Sequence, residues 1–119
     1  MQGLGELEES VMGVLWQAQS PLTVRDMLSE INRSRALAYT TVMTVLDNLH
    51  RKGWAQRERS GRAYRYRATE ARHEAAARTL RDLLASSGDP DGVLLHFARS
   101  ASDHESTILR RALDEHPSR

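Results

Sequence analysis

The chain has 119 residues, of which 39% are hydrophobic, and it contains no cysteine. A chain of this length forms one or two small domains with a modest core. The lack of cysteine excludes disulfides and thiolate metal sites and is typical of a cytoplasmic protein. No apolar run approaches the roughly 20 residues that a membrane span needs, and the acidic N-terminal stretch MQGLGELEES predicts no signal peptide.

The formal net charge of +1 conceals a strongly basic segment in the middle of the chain. Between residues 51 and 67 there are seven Lys or Arg residues but a single acid, Glu58. Such a cluster is typical of a surface that binds a polyanion, although charge alone fits a solvated surface equally well.

Two short helices are predicted at the start of the chain. Residues 6–18 place apolar side chains at helical spacing, which predicts an amphipathic first helix. The stretch SPLT at 20–23 breaks this helix. Thr23 with Asp26 resembles a capping box, which predicts the start of a second helix that ends at NRSR, 32–35.

The third predicted helix runs from about Tyr39 to Lys52, and Gly53 supplies the left-handed residue that follows many helices. Its apolar side chains cluster within about 100° of the helix circumference and are expected to face the core. Threonine is a poor helix former, so a face that served only solubility is expected to carry Glu, Lys or Arg instead. The side opposite the core carries short polar residues, an acid and a base: Thr40, Thr41, Thr44, Asp47, Asn48 and Arg51.

This polar face has the chemistry of a surface that reads DNA. A threonine methyl can contact the methyl group of thymine, and an asparagine can pair with adenine in the major groove. Arg51 and Lys52 at the end of the helix suit phosphates. Asp47 is repelled by DNA unless it pairs with Arg51 one turn later or accepts from a cytosine amino group. The alternative is that Thr40 and Thr41 only cap and start the helix.

A β-hairpin is predicted after the third helix, because the period of the sequence changes to two. WAQRER and AYRYRA alternate around SGR at 60–62, with Gly61 in the turn. Tyr64 and Tyr66 fall on one face of the hairpin and are expected to pack it onto the helices rather than to contact DNA. Arg62 at the tip is expected to reach phosphates or a minor groove.

Three further helices are predicted after the hairpin. Thr69 is expected to cap a fourth helix, and the stretch SSGDPDG at 86–92 interrupts the helical pattern. Pro90 suits the first turn of a fifth helix, and Ser102 with Glu105 predicts a capping box for a sixth.

The last two helices carry more apolar side chains than short surface helices need. A tail of this size cannot bury them within itself, so they are expected to meet a second copy of the chain across a twofold axis. The alternative is that these helices fold back on the N-terminal part. The predicted dimerisation residues are Val93, Leu94, Phe97, Ile108, Leu109 and Leu113.

Together these elements predict a mainly α-helical fold with a small β-hairpin. A short helix, a turn and a recognition-like helix form a helix-turn-helix, and the basic hairpin makes it a winged helix. Residues 1–70 are expected to form a winged-helix DNA-binding domain, and residues 71–119 a helical dimerisation domain. The predicted DNA-binding residues are Thr40, Thr41, Thr44, Asn48, Arg51, Lys52, Arg62 and Arg65.

The sequence also resembles a known family. LGELEESVMGVLW, TVRDML, AYTTVMTVLDNLHRKG and GRAYRYRA resemble, in order, the N-terminal domain of the BlaI/MecI penicillinase-repressor family. VLLHFARSASDHESTILRRALDEH resembles its dimerisation region. The resemblance implies a homodimeric transcriptional repressor that binds a palindromic operator in double-stranded DNA, with β-lactam-response genes as targets. It also implies release of repression by a protease, linked to a membrane sensor, that cuts the dimerisation region.

Three features separate this chain from members of that family. Members with known cleavage are cut between an asparagine and a phenylalanine, whereas the matching bond here joins His96 and Phe97. Ala68 stands near the place where members often have a proline. The copper-responsive branch uses C-terminal cysteine pairs and is excluded by the absence of cysteine.

Other classes of protein fit these residues less well. The chain has no glycine-rich phosphate loop, nucleophile motif or recognisable pair of catalytic acids, so no enzyme is expected. Its five histidines form no compact metal motif, and neither a metal nor a cofactor is expected. The alternatives that remain open are a winged-helix protein-interaction module, an orphan regulator released by an unknown ligand, and a non-specific architectural DNA binder.

Overall fold

The structure is a computed structural model that describes residue 1 and residues 3–115 of the chain. The chain divides into two units, Met1–Thr79, called the head below, and Leu80–Arg119, called the arm. The elements in chain order are α1 (Glu6–Gln17), β1 (Leu22–Thr23), α2 (Val24–Ile31), α3 (Tyr39–Arg51), β2 (Ala55–Ser60), β3 (Ala63–Ala68), α4 (Arg72–Ser86), α5 (Pro90–Ser100) and α6 (Asp103–Asp114). Helix α4 begins in the head and ends in the arm.

The core of the head lies where α1, α2 and α3 meet the sheet. The apolar stripe predicted for α3 is confirmed, because Val42, Leu46 and Leu49 are fully buried. Each large aliphatic side chain buried in this way contributes about 1.5–3 kcal/mol to folding. Ala75 of α4 is fully buried in the same cluster, so the first turns of α4 pack as part of the head.

The sheet has one strand more than predicted. The hairpin is confirmed, with β2 and β3 antiparallel and Gly61 at φ +64° in the two-residue loop. Strand β1 also pairs with β3, which places Leu22 opposite Tyr66 and gives the sheet order β1-β3-β2. The stretch SPLT was expected to be only a break, because a two-residue strand beside Pro21 is too short to show a period of two.

Side chains close several helix ends as predicted. The hydroxyl of Thr23 accepts from the N–H of Asp26 at 3.0 Å, and the Asp26 carboxylate accepts from the N–H of Thr23 at 3.1 Å. The same reciprocal capping box joins Ser102 and Glu105 at the start of α6. In each box the backbone N–H of the cap residue holds the pKa of the acid, Asp26 or Glu105, below its usual range.

The start of α4 differs from the prediction that Thr69 caps it. The hydroxyl of Thr69 donates to the carbonyl of Gly53 at 2.8 Å, and the N–H of Ala71 is instead satisfied by the Glu74 carboxylate at 3.0 Å. Helix α4 therefore begins at Arg72. The hydroxyl of Thr69 is drawn away because Gly53, at φ +86°, ends α3 and leaves a carbonyl in reach.

The arm contains the end of α4 and the helices α5 and α6. Pro90 stands in the first turn of α5 as predicted, and the Asp89 carboxylate caps that helix by accepting from the N–H of Gly92 at 3.1 Å. Within the described residues, neither α5 nor α6 contains a buried residue. Across residue 1 and residues 3–115, no helix is long and apolar enough to span a membrane.

Candidate nucleic-acid interface

The turn before α3 is fixed by the side-chain amide of Asn32. Its Nδ2 donates to the carbonyl of Leu37 at 3.0 Å, and its Oδ1 accepts from the N–H of Leu37 at 2.8 Å. Arg35 in the same turn donates to the hydroxyl of Ser10 on α1 at 3.0 Å. These bonds set where α3 begins relative to α1 and α2. The stretch NRSR is predicted only as a helix end, and no local pattern indicates this role of Asn32.

The polar face predicted for α3 points away from the core. Thr40 and Thr44 are exposed, while Thr41 and Asn48 are half-buried at the edges of the face. The N-cap of the helix is Ala38, so neither Thr40 nor Thr41 serves as the cap. The structure therefore removes capping as a reason for two threonines in the first turn, and they remain available for contacts with base edges.

Asp47 joins α3 to the wing, which is the hairpin formed by β2 and β3. Its carboxylate lies 3.3 Å from Nε of Arg51 and 3.2 Å from Nη1 of Arg57 on β2. Arg51 also donates to the side-chain oxygen of Asn48. The pair of Asp47 with Arg51, one of the two roles considered for this acid, is present, and a second pair with Arg57 was not predicted. One acid thus orients two cations beside the exposed face of α3.

Arg57 is held on both sides within the wing. Its guanidinium lies 4.2 Å from the ring centroid of Tyr64, at a distance that favours a cation–π contact. The side chain of Tyr66 is the largest reason why the pKa of Arg57 is raised above its ordinary value. Tyr64 and Asp47 raise this pKa further, whereas desolvation acts in the opposite direction. Arg57 is therefore a fixed positive charge between α3 and the wing.

The two tyrosines of the wing behave differently. Tyr66 is buried at 2% exposure and packs the hairpin onto the helices, as expected. Tyr64 is 38% exposed and lies beside Arg57 and Arg59, so the expectation that it packs onto the helices is wrong. Both side chains share one face of β3, but Tyr64 lies nearer the turn, where the helices no longer cover it.

Lys52 is placed apart from the other predicted contacts. Its Nζ lies 2.8 Å from the carboxylate of Glu8 on α1. Glu8 also accepts from the N–H of Gly5, and this bond first, then Lys52, lowers the pKa of Glu8. A contact of Lys52 with phosphate requires this pair to open, whereas Arg62 and Arg65 are exposed and make no ion pair with any described residue.

The described histidines and acids do not assemble into a metal site. Across residue 1 and residues 3–115 no group of three or more His, Asp or Glu side chains lies close enough to hold a metal ion. His116 lies outside the described residues. The chemistry of this surface is that of short polar groups and arginines.

A three-helix head, a three-stranded sheet and a basic wing define a winged-helix DNA-binding regulator. The chain matches the family model described as penicillinase repressor over residues 4–115, and it belongs to that family. It is 42% identical over 115 residues to the transcriptional regulator BlaI of Mycobacterium tuberculosis, in strains CDC 1551 / Oshkosh and ATCC 25618 / H37Rv. That match covers 94% of this chain and 83% of the relative.

Solved structures show the same fold at low sequence identity. The ferric uptake regulator Fur of Helicobacter pylori aligns with a TM-score of 0.52 and 17% identity over 57% of this chain and 48% of that chain. MepR, a transcription regulator of the Staphylococcus aureus multidrug efflux pump MepA, aligns with a TM-score of 0.51 and 17% identity over 95% of this chain and 77% of that chain. The predicted fold class and the expected family are confirmed, and that family consists of transcriptional regulators rather than enzymes.

Proposed function

We propose that this chain is a homodimeric repressor that binds a palindromic DNA operator with α3 and the wing. Thr40, Thr41, Thr44 and Asn48 contact base edges in the major groove. The predicted phosphate contacts come from Arg51, Lys52, Arg62 and Arg65. The exposed threonine face beside ordered arginines supports this role, because it combines groups that read bases with charges that bind the backbone.

The dimer rests on one observation, the exposure of large apolar side chains in the arm. Leu94, Leu95 and Phe97 on α5 are 51%, 55% and 53% exposed, and Leu113 on α6 is 69% exposed. Monomeric proteins rarely leave so many apolar side chains of two short helices uncovered. Covering the half of each side chain that is exposed stabilises a dimer by on the order of 5 kcal/mol per chain. Within the predicted dimerisation domain, residues 71–119, the dimer contacts come from α5 and α6 of the arm, whereas the first turns of α4 pack as part of the head.

Dimerisation explains how a small head achieves operator affinity. Two linked heads bind one palindrome through effective concentration, which gains about 10²–10⁴-fold over a single head. Release follows from any agent that cuts or unpacks the arm. The bond between His96 and Phe97, in α5, is the candidate cleavage site for a protease linked to a sensor, and a ligand is the other candidate agent. The target genes in this proposal are β-lactam-response genes, and the repressor works at the chromosome, which lies in the cytoplasm of a bacterial cell.

The test uses the full chain and an operator recovered by genome-wide binding. Sedimentation is expected to show a dimer at micromolar concentration. Phe97→Glu is expected to give folded monomers, because Phe97 is half exposed and outside the core, and to lower operator affinity by about 10²–10⁴-fold. Arg99→Ala, on the same helix, is the matched control and should leave both measurements unchanged. A monomeric wild-type chain would contradict the proposal.

A further inference from the structure

A cleft of about 420 Å³ separates α3 from the wing in the head. Tyr39 and Met43 of α3 line one side of it, and Arg62 and Tyr64 of the wing line the other. Arg25, near the start of α2, also lines it, together with Thr23, Val24, Ala63 and Tyr66. Neither the predicted base contacts nor the predicted phosphate contacts, apart from Arg62, lie in this cleft.

The exposed apolar side chains of the head all converge on this cleft. Among its described residues the large hydrophobics exposed to solvent are Tyr39 at 43%, Met43 at 43% and Tyr64 at 38%. Single exposed hydrophobics are ordinary, but three that line one cleft form a contiguous patch of the kind that marks an interaction site. This patch therefore indicates an interaction surface, and the charge and position of the cleft indicate the chemistry of its occupant.

The charge of the lining favours an anion. Arg25 and Arg62 line the cleft, and none of its lining residues is acidic. Arg25 is the second residue of α2, where the positive end of the helix dipole disfavours a cation. Its guanidinium lies 5.9 Å from the ring centroid of Tyr39, which keeps the charge beside the apolar wall. An occupant with a negative group and an apolar flank satisfies both features.

The position of the cleft identifies that occupant. A helix in the major groove and a hairpin that reaches the adjacent minor groove are separated by one sugar–phosphate strand of the duplex. We propose that this cleft holds that strand, with Arg25 and Arg62 donating to phosphate oxygens. Tyr39, Met43 and Tyr64 pack against the deoxyribose carbons. This assignment rests on the proposed DNA-binding role and adds Arg25, Tyr39 and Met43 to the interface.

A phosphate contact has a signature that a base contact or a structural role lacks. Each neutralised phosphate contributes about 0.9 to the slope of log affinity against log salt concentration, and it carries no sequence information. Arg25→Ala is therefore expected to flatten this slope by about 0.9 on both operator and non-specific duplexes. The ratio of the two affinities and the melting temperature should stay unchanged. Arg25→Lys should retain the slope.

The experiment pairs protein variants with duplexes in which single phosphates are replaced by neutral methylphosphonates. The duplex is an operator recovered by selection from random sequences with the full chain. Wild-type protein should lose affinity when one particular phosphate is neutralised, and Arg25→Ala should be insensitive at that position. Arg110→Ala, which removes the same charge from α6, is the control and should keep the wild-type profile.

Three outcomes would overturn the assignment. An unchanged salt slope and methylphosphonate profile in Arg25→Ala would leave the cleft outside the DNA interface and favour an apolar protein partner. An altered operator preference with an unchanged slope would mean that Arg25 acts on base readout through Tyr39. If the wild-type chain bound no duplex at all, the proposed function itself would fail, which is distinct from the first two results.

Discussion

Asp47→Asn tests whether one carboxylate restrains the two arginines beside α3. In the wild-type head the acid contacts Arg51 at 3.3 Å and Arg57 at 3.2 Å, and it is also the acid nearest to the polar face of α3. Its removal leaves both guanidinium groups without that partner and removes a charge that repels phosphates. Non-specific DNA should therefore be bound more tightly, and the preference for the operator should fall because Arg51 is no longer oriented.

The expected loss of stability in Asp47→Asn follows from the exposure of the three side chains. Asp47 is 44% exposed, Arg51 67% and Arg57 26%, so solvent screens both pairs. Pairs of this kind contribute about 0.2–1 kcal/mol each, so the variant should lose less than about 2 kcal/mol of stability. Arg51 already contacts a phosphate in the proposed complex, so only Arg57 gains a new phosphate contact, and the salt slope should rise by about 0.9.

Fluorescence anisotropy with labelled duplexes over a series of salt concentrations measures both the slope and the preference. Glu58→Gln is the matched control, because it removes the single acid of the basic segment 51–67, and that acid makes no ion pair with any described residue. The control should raise affinity slightly with a smaller change in slope. A slope in Asp47→Asn that stays at the wild-type value, or weaker binding to non-specific DNA, would refute the reasoning.

Three further variants probe the rest of the head. Thr44→Ala should cost on the order of 1 kcal/mol of operator binding and relax its sequence preference; equal discrimination by the variant and the wild type would remove α3 from base readout. Arg62→Glu should abolish binding at physiological salt without lowering the melting temperature, since Arg62 is exposed at the tip of the wing, and unchanged binding would exclude the wing. Glu8→Gln should lower the melting temperature at neutral pH, because the pKa of Glu8 is depressed by the Gly5 N–H and Lys52. A depressed pKa gives stability that is present above the unfolded pKa, about 4.3, and lost as the pH falls through the folded value. The difference between variant and wild type should therefore shrink on acidification, and a difference that persists or grows at low pH would contradict this account.

Local patterns in the sequence predicted much of the fold. The buried stripe of α3 and the capping boxes at Thr23 and Ser102 depend on residues within one or two turns of each other, and the structure confirms them. The family resemblance also followed from contiguous stretches. In these places the local preference and the tertiary environment agree.

The structure differs from the sequence prediction where a side chain binds a residue that is distant in sequence. The hydroxyl of Thr69 bonds to Gly53 rather than to its own helix, and Lys52 pairs with Glu8, which lies 44 positions earlier. Tyr64 remains partly exposed because it lies near the tip of the wing, beyond the part that the helices cover. The proposed contact of Arg25 was not predicted from the sequence for the same reason, since nothing within α2 indicates that Arg25 lies beside Tyr39.

The bond between His96 and Phe97 lies inside a regular helix, and proteases cut extended chain. A protease acting there must wait until α5 opens, so the cleavage rate follows the population of the opened form when opening and closing are fast. That population depends on the helix ends as much as on the residues beside the bond. The cap from Asp89 to the N–H of Gly92 is worth about 1 kcal/mol, which corresponds to roughly a fivefold change in the opened fraction. In the proposed release by proteolysis, Asp89, seven residues before the bond, therefore controls the rate at which the arm is cut.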